Sequence, residues 1–131
     1  MNVYKNRESL VEVLLSGKYE EGILALRKIA YGHEDTDSDD PPVAYCPLGV
    51  ACEMYRLLHP NKYKWVKSGK RFGFRTVGKK NSMLFTPPKE VCEFFGFTSS
   101  EMNVITRYFD NGYAFLDIAI IIKDWGGVDE H

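Results

Sequence analysis

CPLGVACEMYRLL, residues 46 to 58, is the stretch whose reading decides the architecture. Leu48, Ala51, Tyr55 and Leu58 recur at helical spacing along one side, and Val50, Met54 and Leu57 cover much of another. Glu53 and Arg56 are its only charges. A helix that is apolar nearly all round is a buried one, so this segment is expected to be the central element, with Leu48, Ala51, Met54 and Tyr55 inside. Pro47 stands at a favoured first-turn position. Gly49 behind it suits close packing of another element. Free amides cradling an anion there would be the alternative, but the glycine pattern and lysine of a phosphate loop are missing.

On the C-terminal side, residues 63 to 86 read as an antiparallel meander. Residues 63 to 67 form one strand, and Ser68-Gly69 a turn. Residues 71 to 77 alternate, with Phe72, Phe74 and Thr76 on one face and Arg71, Gly73 and Arg75 on the other. Residues 78 to 81 turn the chain and 82 to 85 return it. A short helix follows Pro87-Pro88, carries Val91, Phe94 and Phe95, and ends at Gly96. Thr98 and Glu101 have the spacing of a capping box. Met102, Ile105 and Phe109 mark the next helix, and Phe115, Ile118, Ala119 and Ile122 mark the last, to about 125.

On the N-terminal side, Asn6 is a candidate cap for a first helix with the stripe Leu10, Val11, Leu14 and Leu15, stopped at Gly17. Residues 20 to 31 fit helix and strand equally. HEDTDSDDPP, residues 33 to 42, is acidic and turn-rich and reads as an exposed loop. The expected fold is α+β: a three-stranded antiparallel meander packed against four to five helices, in one domain spanning 1 to 131. Its parts are the acidic loop at 33 to 42, the basic meander at 63 to 86 and a helical part at 87 to 125.

The chain carries 44% apolar and 14% aromatic residues, enough for one core. No apolar run approaches the length of a bilayer span, and the N-terminus shows no signal-peptide pattern, so a cytoplasmic location and no membrane partner are expected. Cys46, Cys52 and Cys92 are an odd number, which favours reduced thiols. Net charge is −1, yet it is unevenly spread. Residues 61 to 80 hold eight bases and no acid, whereas 33 to 44 hold five acids and no base.

Three segments resemble a known family. They are Leu14-Leu15-Ser16-Gly17-Lys18-Tyr19, Tyr45-Cys46-Pro47-Leu48-Gly49-Val50-Ala51-Cys52-Glu53, and Asp110-Asn111-Gly112-Tyr113-Ala114-Phe115 running into Ile118-Ala119. In this order they are similar to the "SGkY", "CCLGVLCEL" and "NDxGxSFxxIA" motifs of small bacteriophage and bacterial proteins with no assigned activity. Pro47 stands where the family has a second cysteine, and Ala114 where it has a helix-capping serine. The resemblance implies a phage-type accessory protein of the host cytoplasm and carries over no catalytic residue.

The residues themselves point to binding more than to chemistry. Cys46 and Cys52 are six apart, unlike the two-to-four spacing of zinc motifs, and read as small core residues. No metal, cofactor or catalytic residue is expected. His33 and His59 lack a partner arrangement for nucleophilic catalysis. Residues 98 to 122 have the outline of a helix-turn-helix, but their net acidity opposes phosphate contact. The leading candidate is the basic meander. Lys70, Arg71, Arg75, Lys79 and Lys80 supply charge, and Tyr63 and Trp65 are available to stack a base. The bland reading of the same residues is a solvated face with lysines guarding an edge.

The expected function is therefore a non-catalytic protein binding an anion: a nucleotide, a nucleic-acid segment or an acidic protein surface. Sequestration of a host nucleotide signal is one concrete form, and nucleic acid is the less favoured partner. The alternative is an interaction module whose acidic loop or acidic C-terminal helices mimic nucleic acid and block a host protein.

Overall fold

The computed structural model describes residues 2–34 and 40–126. Half of the acidic loop expected at 33 to 42, residues 35 to 39, thus lies outside the described residues. The described chain holds helices α1 (Val3–Leu15), α2 (Pro47–Leu58), α3 (Lys89–Phe95), α4 (Ser99–Asp110) and α5 (Phe115–Gly126). Its strands are β1 (Glu20–Glu21), β2 (Arg27–Ile29), β3 (Val43–Tyr45), β4 (Tyr63–Ser68), β5 (Arg71–Thr76) and β6 (Ser82–Met83). The α+β class expected from the sequence holds, but the sheet is larger than a three-stranded meander. Its order is β1-β3-β2-β5-β4, with β6 also paired to β5, and β1 runs parallel to β3.

The β4–β5 hairpin keeps the alternation read from the sequence: Trp65 faces Phe74 and Lys64 faces Arg75 across the ladder. The third strand of the meander shrinks to two residues, because the next carbonyl is taken elsewhere: Leu84 accepts from the Leu26 N–H at 2.9 Å. That bond, with β2 pairing to β5, draws β2 and its partner β3 into the sheet. The ambiguous segment 20 to 31 is therefore two short strands and a bend.

Helix α2 is the centre of the helical layer, and its residues 47 to 53 and Tyr55 are buried. Met54 is only half-buried, and Leu57 and Leu58 are exposed, so the last turn runs out toward solvent. Gly49 provides close packing. A Cβ at that position would overlap the carbonyl of Leu26, and the same carbonyl accepts from Cys46 N at 3.2 Å. Cys46 is the N-cap of α2, and its Sγ accepts from Gly49 N at 3.3 Å.

Asn6 is not the cap of α1. Asn2 fills that role, accepting from Lys5 N at 3.1 Å, so the helix starts nearly one turn earlier. The Asn6 amide instead donates to the Phe94 carbonyl at 2.7 Å. Leu10, Val11 and Leu14 are buried, whereas Leu15 is exposed. Arg7 lies beneath them, buried, and donates to the carbonyls of Phe95 (2.6 Å) and Gly96 (2.5 Å) and to Glu101 (2.9 Å). One side chain thus satisfies the C-terminus of α3 and braces the Thr98–Glu101 capping box of α4, which forms as its spacing predicts. At Ala114, where the resembling family has serine, two carboxylates cap α5: Asp117 accepts from Ala114 N at 2.9 Å and Glu21 of β1 from Phe115 N at 2.7 Å. Helix α5 packs along α1, with Ile118, Ala119 and Ile122 buried.

Two measurements check this packing. Gly49→Ala should destabilise the protein by about 3 kcal/mol, the upper range for overpacking, because the clash is with backbone; a Tm within 1–2 °C of wild type, roughly the ±0.5 kcal/mol of a neutral surface change, would contradict the contact. Burial pushes the Cys46 thiol up to about 12, and raises Cys52 and Cys92 as well. At pH 8 the native thiols should therefore react with a disulfide reagent at least about tenfold more slowly than the unfolded chain, since the thiolate is the reacting form. Equal rates in the two states would contradict it.

Candidate functional site

Cross-strand register sorts the charged residues onto the two faces of the sheet. Phe72 and Phe74 point to the helical layer and are buried. Alternation therefore puts Arg71 and Arg75 on the outer face, where Lys28 lies opposite Arg71 and Lys64 opposite Arg75. Gly73 sits between the two arginines. A Cβ there would overlap the Ser82 side chain, so glycine lets β6 close on β5.

Both arginines are held through the inner nitrogen of the guanidinium. Arg71 Nε donates to the Leu24 carbonyl at 3.3 Å, and its Cζ lies 5.4 Å from the centroid of Phe85. Arg75 Nε donates to Ser82 Oγ at 2.8 Å. The ion pairs among the described residues are Arg7–Glu101, Arg56–Glu53, Lys62–Glu90 and Lys89–Glu93, and none involves an outer-face cation. Among the described residues, Glu34 is an acid whose carboxyl feels the lysines of this face. Hydrogen bonds to its own backbone and to Gly32 draw its carboxyl below the ordinary range, helped by the charges of Lys70 and Lys28.

The seven residues expected from the sequence do not form one cluster. Lys70 and Arg71 stand at the start of β5, with Ile29 N–H donating to the Lys70 carbonyl. Lys79 and Lys80 are exposed in the turn beyond its far end. Arg71 and Arg75 are four residues apart along one strand, about 13 Å at the usual rise, so they cannot fork onto one phosphate and instead suit two separate anionic groups. Tyr63 and Trp65 lie on the opposite, inner face. Tyr63 stacks on Phe74 at 4.7 Å and donates from its hydroxyl to Glu90 at 2.9 Å. Burial and that bond push its hydroxyl up to about 12. Trp65 Nε1 donates to Glu53 at 2.8 Å. Neither ring can stack a base on the basic face.

Sequence reading missed the inner-face network to which Trp65 belongs. Glu53 of α2 accepts two bonds from Arg56, at 2.7 and 2.8 Å, besides the one from Trp65. Arg27 of β2 packs its guanidinium against Phe72, Trp65 and Tyr45, at 4.4, 5.4 and 5.6 Å from the ring centroids. Its buried Nε has no hydrogen-bond partner. The signal for Arg27 was hidden in the segment that fitted helix and strand equally. This network bridges the central helix and the sheet.

Burial pushes the Glu53 carboxyl up, but the Arg56 and Trp65 hydrogen bonds and the charges of Arg56 and Arg27 outweigh it and hold the group below the usual carboxylate range. A depressed folded-state value means a stabilising contribution that is complete above the unfolded carboxylate value, near 4.3, and is lost as pH falls through the folded value. Glu53→Gln should therefore lower Tm at pH 7, and the gap between variant and wild type should shrink in acid below about pH 4. A gap that stays constant down to pH 2 would contradict a charged Glu53.

The described residues bring together no three His, Cys, Asp or Glu side chains able to hold a metal, and no helix among them is long and apolar enough to cross a membrane. No protein-family model, curated protein or solved structure matches this chain.

Proposed function

We propose that this chain is a non-catalytic binding protein whose outer sheet face takes an anionic ligand: a nucleotide, a nucleic-acid segment or an acidic protein surface. One observation carries the reading. Arg71 and Arg75 are each pinned through Nε on an interior strand of the sheet, and no carboxylate among the described residues pairs with either guanidinium. A guanidinium oriented in this way retains its fork of donors for phosphate or carboxylate. Little side-chain freedom remains to be lost on binding. Lys28, Lys64 and Lys70 add positive charge around them without competing for the same geometry. The resemblance to phage proteins supports reading it as an accessory protein of a host cytoplasm, with sequestration of a host nucleotide signal as its most concrete form.

The double change Arg71→Ala, Arg75→Ala tests the proposal. Exposed cations contribute little stability, so unfolding should lose less than about 1 kcal/mol. Retention on an immobilised polyanion such as heparin should be abolished, and wild-type retention should fall steeply with salt. Retention that survives both the substitutions and high salt would remove the basic face from the function and put the acidic-loop mimic ahead.

A further inference from the structure

Strand β4 ends the sheet. It pairs with β5 and with no other strand among the described residues, whereas the opposite end of the sheet is the two-residue β1. Its register with β5 runs from Tyr63 to Ser68 without a bulge or a proline. An edge strand of this kind presents unpaired backbone groups to any chain that comes alongside. The hairpin fixes which groups these are. Ser68 and Arg71 flank a two-residue turn at Gly69 and Lys70, so they form a hydrogen-bonded pair, and every second pair along the ladder does the same. Val77 N, donating to the Lys62 carbonyl at 2.9 Å, continues that series. Lys64, Val66 and Ser68 therefore turn their N–H and C=O toward β5. Trp65 and Lys67 turn theirs to the open side, and no described residue bonds to them there. Tyr63 shares that direction but is buried, so the open edge is residues 64 to 68.

The side chains along this edge decide what suits it. Alternation with the buried Tyr63 puts Lys64 on the outer face of the sheet and Lys67 on the inner one. Both are exposed, and neither has a carboxylate partner among the described residues. No acid occurs from 61 to 80. A second copy of β4 would set lysines beside lysines, and like charges across a ladder are destabilising. Lysine is a residue that guards edges against such pairing. A strand with carboxylates on both of its faces meets a lysine on each, and the same charges become attractive.

We infer that β4 is a docking edge for an extended acidic peptide of a partner protein, which adds to the sheet as a further strand. Trp65 and Lys67 each exchange an N–H and a C=O bond with it, while Lys64 and Lys67 select for acidic side chains. Main-chain bonds supply the affinity in this mode and side chains the choice of partner. The inference goes beyond the anion-binding reading above, because Arg71 and Arg75 lie on β5 and the edge does not need them.

A dye-labelled peptide built of glutamate pairs between threonines, followed by fluorescence anisotropy at low salt, tests it. The same peptide N-methylated at every residue keeps its charge but loses its donors, and should bind about tenfold or more weakly. Lys67→Ala should weaken binding a few-fold, as for one cross-strand ion pair. Lys67→Pro should weaken it about tenfold further, because it also removes an outward N–H at an edge position where proline is tolerated. Amide exchange in the wild-type protein gives a readout independent of any variant. The peptide should slow exchange at Trp65 and Lys67 and leave Lys64 and Val66, already bonded to β5, little changed. That slowing should persist in the Arg71→Ala, Arg75→Ala variant. Equal binding of the N-methylated peptide, or no slowing at Trp65 and Lys67, would overturn the docking edge. If such binding then vanished in the double arginine variant, it would belong to the anion-binding face. No binding with the peptide at millimolar concentration would overturn the edge alone, since retention on heparin judges the arginines separately.

Discussion

The contact between Gly49 and the Leu26 carbonyl sets the rest of the structure. The first turn of α2 lies so close to the chain entering β2 that no side chain fits at position 49. The Leu26 carbonyl it accommodates also accepts from Cys46 at the start of that helix. This fixes the peptide before Arg27, and with it the face to which each β2 residue turns. Arg27 goes inward among three rings, and Lys28 outward beside Arg71. Two residues upstream, Leu24 is forced into a left-handed bend that presents its carbonyl to Arg71. The placement of the basic face follows from how tightly the buried helix meets the sheet.

The sheet separates two kinds of charge. On the inner face each acid has partners: Glu53 holds Arg56 and Trp65, and Glu90 takes bonds from Tyr55, Tyr63 and Lys62. Removing Arg56 would leave the largely buried Glu53 charge behind, which is destabilising, whereas Lys62 and Glu90 are largely exposed. On the outer face the cations are exposed or half-buried and form no ion pair among the described residues, so they add little to folding. A row of like charges on a stiff strand is mildly repulsive without an anion, and an anion that spans it relieves the repulsion. Stability thereby rests on the inner face, and the proposed binding on the opposite face of the same strands.

What the sequence revealed was mostly local. The capping box of α4 and the alternation of β5 are set by residues within a turn or two of one another and are present as read, whereas the buried girth of α2 holds only for residues 47 to 53 and Tyr55. Strands β1, β2 and β3 are two or three residues long and gain their identity from pairing across the chain. A period of two cannot show in three residues, which is why segment 20 to 31 read both ways and Arg27 went unnoticed. Tyr63 and Trp65 were placed on neither face by sequence alone. Their direction follows from the register that sets Trp65 against Phe74. Asn6 looked like a cap because its type suits one, yet the helix begins about one turn earlier and Asn2 caps it, accepting from Lys5 N.

The central claim is that Arg71 and Arg75 meet anions with guanidinium groups already oriented by Leu24 and Ser82. An NMR titration that follows arginine Nε–Hε signals, with pyrophosphate added at low salt, tests it most directly. The account predicts that the Nε–Hε signals of Arg71 and Arg75 are resolved and slow to exchange in the free protein and shift on addition, while those of Arg7 and Arg56 stay in place. Shifts spread evenly over all arginines, or none at Arg71 and Arg75, would contradict it.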